Sequence, residues 1–197
     1  QGRDGEALAY AEALLKDDRR QWGHFEIAQF CERILVGQGH EEEAYRRFGL
    51  PSVSGNTYLA MWRGLVKRYP DLDARRILED LIDTQGVKGK WFAAAKTARF
   101  MDIALDCAGH YDAAPATLIR AARDLKLKEP AFAAQVALQA IRHLVEGRGY
   151  EPTPLDIDDA VEHLMVSAGR IGEVDWALQE LRRISASALS AGLMADR

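Results

Sequence analysis

Basic and aromatic side chains between residues 46 and 99 are the strongest indication of a binding surface in this sequence. This segment contains 11 Lys/Arg and 5 Asp/Glu, a balance of +6, whereas residues 1–45 and residues 100–197 each have a balance of −5. Basic side chains bind phosphates and carboxylates, and aromatic rings stack on nucleic-acid bases. The candidate partner-binding residues are Arg63, Lys67, Arg75, Arg76, Lys88, Lys90, Trp91 and Lys96.

Two classes of partner fit this segment. The first is a protein or peptide with an acidic surface, and the second is a nucleic acid. The net charge of −4 for the whole chain disfavours a dedicated nucleic-acid-binding protein. Trp62 and Tyr69 are also spaced like core residues, in which case the arginines form the solvated face of their helices. We therefore expect an unknown protein or peptide partner, with nucleic-acid binding through residues 46–99 as the alternative.

The turn Gly86-Val-Lys-Gly-Lys90 contains glycines and lysines and precedes a predicted helix. Backbone amides and lysines at the start of a helix can hold an anion. The turn is not a P-loop, because the spacing of its glycines is wrong and no strand is predicted before it. We favour a solvent-exposed turn in which Trp91 and Phe92 anchor the next helix.

Residues suited to metal binding or catalysis do not occur at useful spacings. No two of the five histidines lie three or four residues apart, and Cys31 and Cys107 fall in separate apolar segments. The acidic run Asp156-Ile-Asp-Asp159 is explained by the favourable position of aspartates in the first turn of a helix. His163 is predicted to lie on the protein surface. The sequence thus predicts no catalytic residue, no cofactor and no metal, and a protein that is not an enzyme.

The elements that position these side chains are predicted to be helices. Apolar residues recur every three or four positions, proline and glycine separate the segments, and no run alternates as a strand would. Short connections between successive helices favour antiparallel neighbours. The predicted helices cover residues 4–16, 25–37, 41–48, 56–69, 74–85, 90–98, 100–108, 115–126, 130–146, 154–168 and 174–185.

A weak internal repeat accompanies these helices. Glycine, four residues, alanine and then leucine or tyrosine occur at 2–8, 39–45 and 172–178. Ala7 and Ala44 lie 37 residues apart, close to the 34-residue period of tetratricopeptide repeats, and Ala104 and Ala177 lie 73 apart, near twice that period. The interval of 60 residues between Ala44 and Ala104 is not a multiple, so the repeats are degenerate.

The small alanines, the glycine turns and the leucine and aromatic residues resemble tetratricopeptide-type repeats. The stretch Lys88-Gly-Lys-Trp-Phe-Ala-Ala-Ala-Lys96, with Ile103-Ala-Leu-Asp-Cys-Ala108, further resembles a group of uncharacterised bacterial proteins. In these proteins tetratricopeptide-like repeats form a C-terminal region, in some cases after a SWIM-type zinc finger. The resemblance implies a fold and a bacterial cytoplasmic setting but no activity. No zinc site carries over, because the sequence lacks cysteines and histidines at zinc-finger spacing.

Together these observations predict an all-α protein of antiparallel helical hairpins, stacked as a tetratricopeptide-like α-solenoid of about eleven helices. We expect one helical-repeat domain over residues 1–185 and a flexible tail over 186–197. Residues 4–16 follow the glycine of a hairpin turn, so we expect the C-terminal part of a longer protein. No stretch approaches the roughly 20 apolar residues of a membrane span, and free, buried cysteines suit a reducing cytoplasm.

Overall fold

The computed structural model describes residues 2–15, 23–149 and 153–195, and the regular elements in these ranges are all helices. The predicted all-α class is therefore confirmed. A π-helical segment, Tyr45–Gly49, follows α3, and a 3-10 turn, Lys88–Trp91, precedes α6. The α-helices are α1 (Gly2–Leu15), α2 (His24–Gly37), α3 (Glu41–Ala44), α4 (Tyr58–Arg68), α5 (Ala74–Gln85), α6 (Phe92–Thr97), α7 (Met101–Gly109), α8 (Pro115–Leu125), α9 (Pro130–Val145), α10 (Pro154–Ile171) and α11 (Val174–Ala195).

The chain divides into two compact units, Gln1–Thr84 and Gln85–Arg197. In the second unit α9 contacts α8, α10, α7 and α11, and α8 also contacts α10. Small residues on α9 permit this close packing, because Ala133, Ala134, Ala137 and Ala140 are all fully buried. The helices therefore pack as expected for an all-α solenoid, in which a helix touches both its neighbour and the helix after that.

A buried carboxylate connects α2 to the end of α4 in the first unit. The Glu32 side chain is only 6% exposed, and it accepts hydrogen bonds from the Tyr69 hydroxyl and from the Arg68 guanidinium at 3.2 Å. Burial and the hydrogen bond to Glu32 raise the pKa of the Tyr69 phenol well above its ordinary value. The phenol therefore remains protonated and donates to a carboxylate that would otherwise be costly to bury.

The π-helical segment packs directly against this carboxylate site. Gly49 is buried, and a Cβ atom at this position would lie 2.6 Å from Cε2 of Tyr69. The Tyr45 ring meets the Tyr69 ring edge-on at 5.3 Å, and the Tyr45 hydroxyl donates to Asp80 at 2.8 Å. The sequence predicts an ordinary helix over 41–48, whereas the last turn is widened where Gly49 admits the tyrosine.

Several of the long-range hydrogen bonds in each unit join residues 34–38 positions apart, whereas others are closer in sequence, such as Gly89–Asp112 and Arg99–Glu129. Each bond of the first kind joins a helix to the helix two further along the chain or to a residue next to it, as stacked hairpins require. The separations of 34–38 residues are close to the 37 between Ala7 and Ala44. In order of separation the pairs are Arg76–Glu42, Tyr45–Asp80, His143–Ala108, Lys126–Glu162, Tyr69–Glu32 and Arg142–Glu180.

The last helix is longer than the sequence predicts. α11 runs to Ala195, so most of the segment expected to form a tail from residue 186 is helical. Alanine has the highest helix propensity, and serine inside a helix can bond to the preceding turn. Ser185 and Ser190 do so, donating to the carbonyls of Leu181 and Ala186 at 3.0 and 2.9 Å.

Replacing Gly49 with alanine should destabilise the first unit, since the new methyl group would overlap the Tyr69 ring. We expect the free energy of unfolding in urea to fall by about 1–3 kcal/mol. Gly64 is the matched control, because it lies inside α4 with nothing within 4 Å of an added Cβ. Gly64→Ala should stabilise the chain by about 0.5–1 kcal/mol. Equal effects of the two substitutions would contradict the proposed packing.

Candidate partner-binding surface

Arg63 and Lys67 lie one turn apart on the exposed side of α4. The helix begins after Thr57, whose hydroxyl accepts a hydrogen bond from the Ala60 amide at 3.1 Å. Ala60 and Gly64 are exposed on the same helix, and neither has a large side chain that would cover the two cations. Neither cation has an ion-pair partner among the described residues. Their charges are therefore available to a binding partner.

Arg75 and Arg76, on α5, are neutralised by carboxylates of the same unit. Arg75 bonds to Glu79 at 3.1 Å. Arg76 donates to Glu42 at 3.0 Å and lies 3.7 Å from Asp80. The hydrogen bonds from Arg76 hold the pKa of Glu42 below its ordinary value. Both predicted binding residues already have carboxylate partners, so they contribute less free positive charge than the sequence suggests.

The other four predicted residues belong to the second unit. Lys88 pairs with Asp106 at 2.5 Å. Trp91 is fully buried, so it is a core residue that cannot contact a partner, and its prediction as a binding residue is corrected. Lys90 is exposed and Lys96 is half-buried, and no carboxylate of the described chain pairs with either. Four candidate cations therefore remain unpaired: Arg63 and Lys67 in the first unit, and Lys90 and Lys96 in the second.

The turn over residues 86–90 binds a carboxylate of its own chain. The Gly89 amide donates to Asp112 at 2.7 Å, and the His110 ring contacts the same carboxylate oxygen. Burial opposes ionisation of Asp112, but these two hydrogen bonds outweigh it and hold the pKa of the carboxyl below its ordinary value. One amide of the turn thus holds a carboxylate of the chain itself. The sequence does not reveal this contact because the partners are 23 residues apart. Gly89 is buried there, which differs from the solvent-exposed turn that the sequence favours, whereas Trp91 and Phe92 are buried as the expected anchors of the next helix.

Two of the aromatic residues in the basic segment cannot stack on bases. Tyr69 and Trp91 are both fully buried in the core. Trp62 is half-buried and donates its indole N–H to the Ala74 carbonyl at 2.9 Å, connecting α4 to the start of α5. The interpretation of these rings as core residues therefore agrees better with the structure than a base-stacking surface does.

The candidate metal and thiol residues have structural roles. Asp156 and Thr153 form a reciprocal capping box at the start of α10, in line with the expected helix-start role. Cys31 and Cys107 are both buried, as predicted, and burial raises the pKa of the Cys107 thiol to about 11. The described ranges contain no cluster of three or more His, Cys, Asp or Glu side chains arranged to hold a metal ion. They also contain no helix long and apolar enough to cross a bilayer.

His163 is buried, which corrects the surface position expected from the sequence. Its Nδ1 atom accepts a hydrogen bond from the Lys126 ammonium at 3.3 Å, and Lys126 also donates to Glu162 at 2.9 Å. Burial and, second, the Lys126 charge lower the pKa of His163 from its ordinary 6.5. The sequence does not reveal this position because Lys126 lies on the preceding hairpin, 37 residues away.

Comparison with known proteins gives no family for this chain. No family model, curated protein or solved structure matches it. The resemblance to uncharacterised bacterial repeat proteins stays a prediction.

His163 should make stability depend on pH. The unfolded histidine takes up a proton near pH 6.5, whereas the folded one does so only at lower pH. The contribution of neutral His163 to the free energy of unfolding is therefore fully present above pH 6.5. It is lost as the pH falls through the pKa of the folded state. One proton gives a slope of at most about 1.4 kcal/mol per pH unit. Urea unfolding at a series of pH values should show this slope, and His163→Gln should reduce it. The same slope in both proteins would contradict the assignment.

Proposed function

We propose that this chain is a protein-interaction scaffold of tetratricopeptide-like helical hairpins, with no catalytic activity of its own. It binds an acidic segment of a protein or peptide partner in the bacterial cytoplasm. Arg63 and Lys67, unpaired cations one turn apart on the exposed side of α4, are the observation that carries the proposal. The geometry suits a pair of carboxylates on the partner, because cations with no internal ion pair attract acidic side chains most strongly.

The packing of the helices supports the scaffold. Stacked hairpins expose one face of every helix, and such faces commonly bind peptides or partner helices. Hydrogen bonds between residues 34–38 apart agree with a unit of two helices repeated along the chain. This support comes from the architecture, and the α4 cations add the chemistry that selects an acidic partner.

The distribution of ion pairs favours a protein over a nucleic acid. Affinity for nucleic acid rises with the number of phosphates that free cations neutralise. Arg75, Arg76 and Lys88 are paired with carboxylates, and the aromatic rings of Tyr69 and Trp91 are buried. The basic segment thus offers fewer free cations and fewer stacking rings than its composition suggests. Nucleic-acid binding through residues 46–99 remains the alternative.

A photo-cross-linking residue in place of exposed Ala60 should capture the partner in the source cell. The captured protein is then purified and its affinity measured by calorimetry. Arg63→Glu with Lys67→Glu should weaken binding at least about tenfold, because two attractive contacts become repulsive. Arg120→Glu with Arg170→Glu is the matched control, because both residues are exposed and the charge change is equal. Equal losses in the two double variants would exclude the α4 surface.

Fluorescence polarisation with short DNA and RNA tests the alternative. At about 150 mM salt we expect no dissociation constant below about 10 µM, because few unpaired cations remain. Tight binding that disappears in the Arg75→Glu, Arg76→Glu variant would favour the nucleic-acid function over the scaffold.

A further inference from the structure

An open cavity of about 300 Å³ lies in the second unit, where the first two turns of α9 meet the turn between α10 and α11. Ala131 and Ala134 line it from α9, and Ile171 lines it from the end of α10. Gly172 then reverses the chain in the left-handed conformation, with a φ of 75°, and Trp176 of α11 lines the cavity as well. The volume is at the lower end of the range for ligand sites, so the cavity suits one side chain or a small molecule.

Two polar side chains complete the lining of this cavity. Gln135 projects from α9, and Glu173 lies immediately before α11. Both are exposed, and neither forms an ion pair or a side-chain hydrogen bond with any residue that the structure describes. The half-buried Trp176 likewise donates no hydrogen bond from its indole N–H within the described ranges. The cavity therefore presents a carboxylate, an amide and an aromatic ring whose polar groups the described chain leaves unused.

The contact two turns further along the same helices indicates which group the cavity lacks. Arg142 of α9 donates to Glu180 of α11 at 2.6 Å, and these residues are 38 positions apart. Gln135 and Glu173 are also 38 positions apart, and each precedes its counterpart by seven residues. Residues seven apart lie on the same face of a helix, so the α9–α11 contact is repeated at the cavity. The repeat has glutamine in place of arginine, which leaves Glu173 without the guanidinium that Glu180 has.

The charge of the cavity favours a cation as its ligand. Glu173 is the one ionised side chain among the described residues that line it. The neighbouring charges of Lys128, Arg170 and Asp175 are exposed and do not line the cavity. The first turns of α9 and α11 add partial positive charge, but solvent screens this charge and it is spread over several amides. An anion would meet the carboxylate of Glu173 directly, whereas a cation would pair with it.

We propose that this cavity binds an arginine side chain of a partner protein. The guanidinium donates hydrogen bonds to the carboxylate of Glu173 and to the amide oxygen of Gln135. Its plane stacks on the ring of Trp176, and its aliphatic stem contacts Ala131 and Ile171. Arginine suits the site better than lysine, because a planar guanidinium stacks on a ring and donates to two acceptors at once.

This inference goes beyond the proposed scaffold function. The α4 surface belongs to the first unit and attracts carboxylates through Arg63 and Lys67, whereas the cavity belongs to the second unit and attracts a cation through Glu173. The two sites share no residue. Loss of binding at one site therefore leaves the prediction for the other unchanged.

A nuclear magnetic resonance titration of the full chain with glycyl-arginyl-glycine, blocked at both ends, tests the proposal. The indole N–H signal of Trp176, assigned by its loss in Trp176→Phe, should shift with a dissociation constant of about 1 mM or lower. The signals of Trp62 and Trp91 should not move, because Trp62 donates to the Ala74 carbonyl and Trp91 is fully buried. The same peptide with citrulline, which is similar in shape but uncharged, should bind at least about tenfold more weakly.

Substitutions test which groups hold the arginine. Glu173→Gln should weaken binding at least about threefold, because the guanidinium loses its charged acceptor. Asp175→Asn is the matched control, because it removes an exposed carboxylate that does not line the cavity. Gln135→Arg should abolish binding, because the chain then supplies the missing guanidinium itself. Ala116→Arg adds the same charge at an exposed position of α8 and should leave the affinity unchanged.

The results that would overturn the proposal are equally specific. They are the absence of a saturable shift up to about 10 mM peptide, or equal binding of the arginine and citrulline peptides. Equal losses in Glu173→Gln and Asp175→Asn, or binding that survives Gln135→Arg, would contradict the assigned contacts. Circular dichroism should show that each variant has the helix content of the unmodified chain, so that a loss of binding reports on the cavity.

Discussion

Three buried polar side chains of this chain are satisfied by residues that lie two helices away in the sequence, in or next to the neighbouring hairpin. Glu32 depends on Tyr69, His163 on Lys126, and His143 on the Ala108 carbonyl at 2.8 Å. Without these partners each group would be costly to remove from water. Because each of these three bonds joins residues 35–37 apart, the polar groups also fix the register of successive hairpins. Apolar packing alone would permit neighbouring helices to slide by a turn, since alanine-rich surfaces have similar shapes at each turn.

The packing of each helix against the helix two positions away also explains why several cations of the basic segment, residues 46–99, are ion-paired. Its surplus of positive charge lies between two acidic segments, and helices that stack at a spacing of 34–38 residues bring charges from different segments together. Arg68 and Arg76 meet Glu32 and Glu42, which belong to the acidic segment 1–45. Lys88 meets Asp106, which belongs to the acidic segment 100–197, through a shorter separation along the chain. A charge balance counted along the sequence therefore overestimates the positive charge that a partner would meet.

Most of the helices could be predicted from apolar periodicity and from proline and glycine, because these signals act within a few residues. The prediction of helices at 74–85 and from Pro130 and Pro154 needed nothing else. The π-helical segment could not be predicted, because it depends on Tyr69, twenty residues beyond Gly49. His163 and Trp91 were misplaced for the same reason, since burial is decided by residues on other helices. Local sequence patterns thus determine where the helices lie. Which cations of the candidate partner-binding surface remain unpaired depends on contacts between residues far apart in the sequence.

The fit between Gly49 and Tyr69 also constrains how this sequence can change over evolution. The Tyr69 ring occupies the space that any side chain at position 49 would need, and its hydroxyl donates a hydrogen bond to Glu32. A side chain at position 49 would overlap the Tyr69 ring. A smaller residue at position 69 would leave a cavity and remove the hydrogen-bond donor of the Glu32 carboxylate. Relatives that keep a buried glutamate here should therefore keep both the glycine and the tyrosine, and relatives that lose one should have replaced all three. Correlated variation at positions 32, 49 and 69 would indicate that two proteins share this packing even where the rest of their sequences has diverged.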